Sequence, residues 1–331
     1  MIEGGAPTRR RFLRLVGGAS AVAGGLSFLS ACKSDGIVDA TSVPVPAASS
    51  ASAVVPPAYT PTDADRMNFA LQLHYFLAGY LHRGIDGGSL PANLATGTGK
   101  AGTVSGGRQV SLSTQTLEAL REVSSQFDAR IALLRQTLGP AATAQPAINI
   151  AGGQGSAFAA TAQRASDTAP AVAFDPWASE TDYILGLTGL SLLNTQATND
   201  LAWYMGASYK PMMAALVCGV AGDDAIVRNI LYVAANVFRQ NPVAGQKSIF
   251  ERADTMARGR DQFDGPKDND QGIGGNDWSN VSVVGWGEIP TRKTPEMTMG
   301  ILYTSAASVS SGGFFPAGLN GTIHISGANT Y

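Results

Sequence analysis

Any chemistry in this 331-residue chain has to be done with a short inventory. It holds three histidines, His74, His82 and His324, two cysteines, Cys32 and Cys218, and the carboxylates Asp261, Asp264, Asp268, Asp270 and Asp277 in a glycine-rich stretch. Imidazoles and carboxylates together are the donors iron and manganese prefer, and carboxylates alone suit calcium. The acidic run lacks the Asp-x-Asp-x-Asp-Gly order and closing glutamate of a helix–loop–helix calcium site, so it reads as turns. His74 falls on an apolar stripe, where a lone histidine reads as a satisfied core residue rather than a ligand. No Ser/His/Asp arrangement can be located, and Gly272-Ile273-Gly274 is too short for a phosphate loop. The formal net charge is −2 and no basic run of nucleic-acid-binding type is present.

Four periodic segments must position whatever these residues do. Thr62 and Asp65 form a capping-box signature, after which Met67, Leu71, His74, Leu77, Ala78 and Leu81 recur at helical spacing as far as Arg83-Gly84. This first helix is apolar nearly all round, as a helix packed on several sides must be. A second stripe, Leu117, Leu120, Val123, Phe127, Arg130, Leu134 and Leu138, runs to Gly139-Pro140 and carries an arginine among its apolar residues. Ser179 and Asp182 open a third helix, with Tyr183, Leu187, Leu190, Asn194, Ala197, Leu201 and Tyr204, which ends at Gly206. After a short apolar helix at 211–218, Asp223 and Asp224 open a fourth whose stripe is Val227, Ile230, Ala234 and Val237, with Asn241-Pro242 beyond it. The spacing predicts an all-α fold, a four-helix bundle over 62–242 with long crossover loops. Residues 243–331 are expected to form an irregular extension, with helices near 246–260 and from Pro295 and a Gly/Phe/Pro-rich tail lying across the bundle.

The N-terminal segment is of a different kind. Thr8-Arg9-Arg10-Arg11-Phe12-Leu13-Arg14 leads an apolar run, broken by Gly17, Gly18, Gly24 and Gly25, that stops at Leu29-Ser30-Ala31-Cys32. The run falls short of the roughly 20 apolar residues a membrane-spanning helix needs. Arg9 and Arg10 with Phe12 and Leu13 resemble the bacterial twin-arginine export signal, and Leu-Ser-Ala-Cys resembles the lipobox cleaved before a lipidated cysteine. The expectation is a signal peptide over 1–31, a lipid anchor at Cys32 that ties the protein to a membrane, and a periplasmic or cell-surface location. Lys33, where retained inner-membrane lipoproteins carry aspartate, favours the outer membrane in a Gram-negative host. Cys218 is then the only other cysteine, so no intrachain disulfide is available. Residues 32–61, rich in Ala, Ser, Pro and Val, read as a tether that holds the domain about 30 Å from the membrane on average.

Several landmarks occur in a fixed order from about 63 to 322. They are Asn68-Phe69-Ala70-Leu71, Gly106-Gly107-Arg108-Gln109-Val110, Leu133-Leu134-Arg135 with Leu138-Gly139, and Asp264-Gly265-Pro266. Asp270-Gln271-Gly272-Ile273-Gly274, Thr294-Pro295, Gly313-Phe314-Phe315-Pro316 and Leu319-Asn320-Gly321 follow. In this series the chain resembles the bacterial ferritin-like domain proteins related to plant desiccation-related and fungal stress proteins. The resemblance implies a bundle interior that holds two metal ions, through a Glu on each of two helices and a Glu-x-x-His on each of the other two. Aligned to that pattern, the ligand positions fall on His74, Phe127, Arg130, Asn194, Ala234 and Val237, and none of the expected glutamates is present. The glutamates are Glu3, Glu118, Glu122, Glu180, Glu251, Glu288 and Glu296, so the first and fourth helices have none.

The reading is a non-catalytic envelope scaffold, interaction or stress-protective protein with no cofactor and a possible protein partner. One alternative is an iron- or manganese-dependent oxidoreductase with a rearranged site drawn from His74, His82, Asp128 or Asp200. Another is a small apolar ligand in a bundle centre lined by Phe127, Ala234 and Val237. A guanidinium does not lose its proton, so Arg130 must find acceptors or water. It either snorkels to the bundle end or takes the place of a cation and bonds to His74, Asn194 or a helix carbonyl.

Overall fold

A computed structural model describes residues 60–164, 173–265, 270–282 and 291–328. Arg9, Arg10, Cys32 and nearly all of the tether lie outside the described residues, as does Asp268. The elements in chain order are α1 (Asp63–Asp86), α2 (Ala92–Ala95), β1 (Val104–Ser105), α3 (Thr114–Leu138), β2 (Ile148–Asn149), α4 (Ala157–Arg164), α5 (Glu180–Trp203), α6 (Lys210–Gln240), α7 (Ile249–Asp264), β3 (Gly274–Gly275), β4 (Trp278–Ser279) and α8 (Pro295–Leu302). The long helices α1, α3, α5 and α6 form the bundle. The closest pairs are α5 with α6 and α1 with α3, and contacts of α1 with α5 and of α3 with α6 close the square.

Local chemistry sets the helix starts. Thr62 and Asp65 make the expected reciprocal capping box, Ser179 caps α5 through the amide of Asp182, and Ser248 with Glu251 makes a second box at α7. The end of α1 lies just past its expected stop, where Gly87 takes the left-handed conformation at φ 74° and its amide donates to Arg83. Between α3 and α5 the chain must travel the length of the bundle, and this crossover holds more order than its composition predicts. Val104 and Ile148 pair in a short parallel ladder, α4 is a helix that no periodicity signals, and the Trp177 indole donates to the Ile150 carbonyl at 2.8 Å. The C-terminal tail lies across the bundle as expected. The Phe314 and Phe315 rings pack on Phe76 of α1, and Phe314 also meets Phe158 of α4.

One expectation fails outright. The predicted short helix at 211–218 and the helix starting at Asp223 are a single 31-residue helix, α6, running through Gly219, Gly222, Asp223 and Asp224 without a break. The acidic pair caps nothing. Both side chains are buried in mid-helix and engaged by neighbours, and Gly219 is small because the Arg130 guanidinium of α3 lies over it. A Cβ there would come within 2.8 Å of Arg130 Nη2.

Close approach also decides Gly84, near the end of α1, where an added Cβ would fall inside the ring of Tyr183. That ring stacks on Tyr80 with centroids 4.9 Å apart, and its hydroxyl donates to the Tyr80 carbonyl at 3.3 Å. Gly84→Ala is therefore expected to destabilise the fold by about 1–3 kcal/mol through overpacking, despite the better helix propensity of alanine. Equilibrium urea unfolding checks this, and an unchanged midpoint would count against the tight α1–α5 crossing.

Candidate functional site

The bundle interior brings three of the six predicted ligand positions inward and leaves three elsewhere. His74 on α1, Phe127 on α3 and Asn194 on α5 are buried, with the His74 and Phe127 rings 5.3 Å apart. On α6 the prediction is off by one position around the helix. Val237 is 57 % exposed and Ala234 is half-buried on the outer side. The inward residues are Val220, Asp223, Asp224, Val227, Leu231 and Ala235. A hydrophobic stripe misled here because the outer side of α6 is as apolar as the inner, while the inner side carries the charges. The apolar-ligand lining of Phe127, Ala234 and Val237 is consequently not assembled.

Arg130 neither snorkels to the bundle end nor bonds to His74, Asn194 or a carbonyl. Its guanidinium pairs with the Asp223 carboxylate of α6, donates to Gln126 Oε1 at 2.7 Å and lies 5.3 Å from the centre of the Phe127 ring. The charge that the first reading left without a partner is thus matched by an aspartate that was expected to cap a helix. Asp224, next along, accepts from the Ser191 hydroxyl of α5 at 2.6 Å. Burial pushes its carboxyl up to about 6, with Arg228 and Ser191 pulling the other way.

His74 is neutral. Burial lowers its imidazolium to a pKa of about 4; the hydrogen bond to the Ala70 carbonyl works against this, and the charge of Arg130 adds to it. Because a carbonyl only accepts, Nδ1 carries the proton and donates to Ala70 at 2.8 Å, leaving Nε2 as a bare acceptor. Nε2 and the Asn194 Nδ2 group find no hydrogen-bond partner among the described residues.

Residues 62–233 match the sequence model of the ferritin-like domain. This chain belongs to that family. No curated protein and no solved structure matches it. The match covers all four bundle helices up to Val233, so the ferritin-like interior can be tested against what such an interior holds. Two divalent ions need about four carboxylates and two imidazoles converging on one point. Among the described residues no three His, Cys, Asp or Glu side chains converge inside this ferritin-like bundle. One imidazole, one guanidinium already paired with Asp223, and the ring of Phe127 do not fit a two-metal group. The rearranged set does not converge either. His82 pairs with Asp128 at 3.0 Å near the end of α1, whereas Asp200 lies at the opposite end of the bundle, 3.8 Å from Arg292.

The densest charged cluster lies where the ferritin-like bundle meets its C-terminal extension, and sequence reasoning missed it. Lys293, fully buried, places its ammonium against Asp264 and 3.1 Å from Asp270, while Arg260 donates to the other Asp270 oxygen at 3.0 Å. Asp261 accepts from the Asp270 amide at 3.1 Å. Beside them the fully buried Arg228 of α6 donates to the carbonyls of Gln271, Gly272 and Asn280. Three of the carboxylates weighed for calcium, Asp261, Asp264 and Asp270, do converge, but Lys293 and Arg260 hold them; Asp277 sits apart on the exposed β3–β4 turn. Burial pushes Asp264 up to about 7, against the pull of Lys293. Asp270 is raised by burial but, outweighed by Lys293 and Arg260, stays below the usual carboxylate range. The only local hint in the sequence is the Arg260/Asp264 spacing of four on one helix.

Proposed function

We propose that this chain is an exported, lipid-anchored ferritin-like protein that does no two-metal chemistry and serves in the cell envelope as a scaffold, interaction or stress-protective protein. The observation that carries this reading is the ion pair of Arg130 with Asp223 beside a neutral His74 whose ring lies against that of Phe127. Burial chiefly, and the nearby Arg130 guanidinium in addition, lower the proton affinity of this imidazole, and both oppose a metal cation in the same way. The pairing of Arg130 with Asp223 supports a structural role for this interior. Loss of the metal ligands also leaves the export signal without a cofactor to protect. The twin-arginine route carries folded chains, and this fold is dense in buried polar contacts that must form before transport.

Elemental analysis of the full chain, produced with iron and manganese in the medium, tests the metal part. Metal well below one equivalent per chain is expected, unchanged by His74→Ala. Near-stoichiometric metal that disappears with His74→Ala would replace this reading with the oxidoreductase. For the anchor, radiolabelled fatty acid should enter the protein and be lost in Cys32→Ser, and replacement of Arg9 and Arg10 by lysine should hold the chain in the cytoplasm.

A further inference from the structure

The end of the bundle that receives the N-terminal segment also carries two neighbouring aromatic residues that are mostly exposed. Trp203 and Tyr204, at the end of α5, are each 60 % exposed, and the turn that follows leaves Ala207, Ser208 and Lys210 open as well. This turn and the start of α1 are one surface, because the Gly206 amide donates to Asp63 at 3.0 Å. The chain enters there, at Thr60 to Thr62. Arg292 lies over the Trp203 ring at 4.5 Å and is itself 38 % exposed. Solvent-facing tryptophan and tyrosine beside cations is the composition of membrane–water interfaces, where amphipathic rings sit at the level of the headgroups and cations meet phosphate.

We infer that this end of the bundle rests on the bilayer, with the Trp203 and Tyr204 side chains in the headgroup layer. The inference rests on the lipid anchor proposed above. Residues 33–61 lie between the lipidated cysteine and this surface, and a segment of that composition spans about 30 Å on average. Contact of the bundle end with the membrane is therefore an intramolecular event at high effective concentration, so two aromatic side chains and two cations suffice where an untethered protein would need far more. Trp278 supplies an internal control. It is 51 % exposed, but its hairpin meets the other end of α6, where Arg239 donates to the Asn276 carbonyl. A helix of 31 residues separates the two ends by about 46 Å.

The test uses the full lipidated chain in vesicles of phosphatidylethanolamine and phosphatidylglycerol with brominated acyl chains, alongside a Cys32→Ala chain mixed with the same vesicles. Flotation reports binding, and bromine quenching of tryptophan emission reports contact. Bromine is expected to quench a component of the emission that Trp203→Phe removes and Trp278→Phe leaves intact, and Tyr204→Ser should weaken it. Quenching without the lipid would show contact independent of the anchor and would support the inference. Lipidated protein that floats with the vesicles but is not quenched at Trp203 overturns the inference and leaves the anchor standing. Protein that does not float in either form overturns both. A blue shift of Trp203 emission that grows with protein concentration in the absence of vesicles would assign the surface to a second copy of the chain and overturn contact with lipid.

Discussion

Lys293→Met is expected to cost this fold about 3–5 kcal/mol, the largest loss of any single substitution considered, because it leaves two buried carboxylates facing each other without their cation. Asp264 and Asp270 are almost completely inaccessible and both meet the Lys293 ammonium. Arg260 can compensate only Asp270, since its Nε reaches that residue alone. The loss should depend on pH in a definite direction. With the ammonium gone both carboxylates can avoid the cost of burial by taking up protons, so the folded-state pKa of Asp264 rises further above its unfolded value and that of Asp270 climbs from below its own. The variant should then recover stability as pH falls toward 5 and lose it as pH rises. Adding Asp264→Leu should restore part of the loss at pH 7.5, as apolar groups replace a buried pair more cheaply than half of one. Urea midpoints at pH 5.0 and 7.5 read all of these. A pH-independent loss would show that Lys293 acts through packing alone.

The second large effect concerns His74 and has the opposite pH sign. Its folded pKa, near 4, lies below the unfolded value of 6.5, so the folded state binds fewer protons than the unfolded one between those values. Its contribution is complete above pH 6.5 and is lost as pH falls toward 4. Between pH 7.5 and 4.5 the wild type should lose about 2–3 kcal/mol on this account, and His74→Met, of similar volume and unable to titrate, should not. Asp224 works the other way, its stabilisation being full below about 3.8 and lost as pH rises toward 6. That contribution is common to both proteins and cancels in their difference. At pH 7.5 the two midpoints should differ by less than about 1.5 kcal/mol, and at pH 4.5 the methionine variant should be the more stable. A difference that stays constant between the two pH values would mean that His74 titrates in the folded protein as it does in the unfolded chain.

The parts of this fold that could be read from sequence are those governed by local chemistry. The capping residues Thr62 and Ser179 signal helix starts through their own side chains, the stripe of α3 is long enough to fix which face is buried, and the all-round apolar character of α1 and α5 marks them as interior helices. The start of α6 could not be read in this way. Gly222-Asp223-Asp224 has the local form of a break and a new start, and only tertiary partners, Arg130 and Ser191, turn those aspartates into interior groups. The same partners defeat the periodicity of α6, whose buried face pairs Asp224 and Arg228 with Val227 and Leu231, so that Ala234 and Val237 look like core and are not. Phe127 lies on the one buried face of α3, whereas α1 is buried on every side around His74, so its periodicity alone does not fix where that imidazole points. The ion cluster of Arg260, Asp264, Asp270 and Lys293 is built from residues up to 33 positions apart, and only the Arg260/Asp264 spacing on α7 marks any of it locally.

Arg228 has a consequence for when the chain can finish folding. Its guanidinium sits inside the structure with acceptors supplied only by residues 271–280, while Arg260 and Lys293 lie against α5 from the C-terminal side. A nascent chain that has emerged from the ribosome only as far as Gln240 owns four helices and lacks the carbonyls its deepest cation needs. The native state therefore closes only after residues 271–293 have been made. The folded-cargo export route proposed above is compatible with such a molecule.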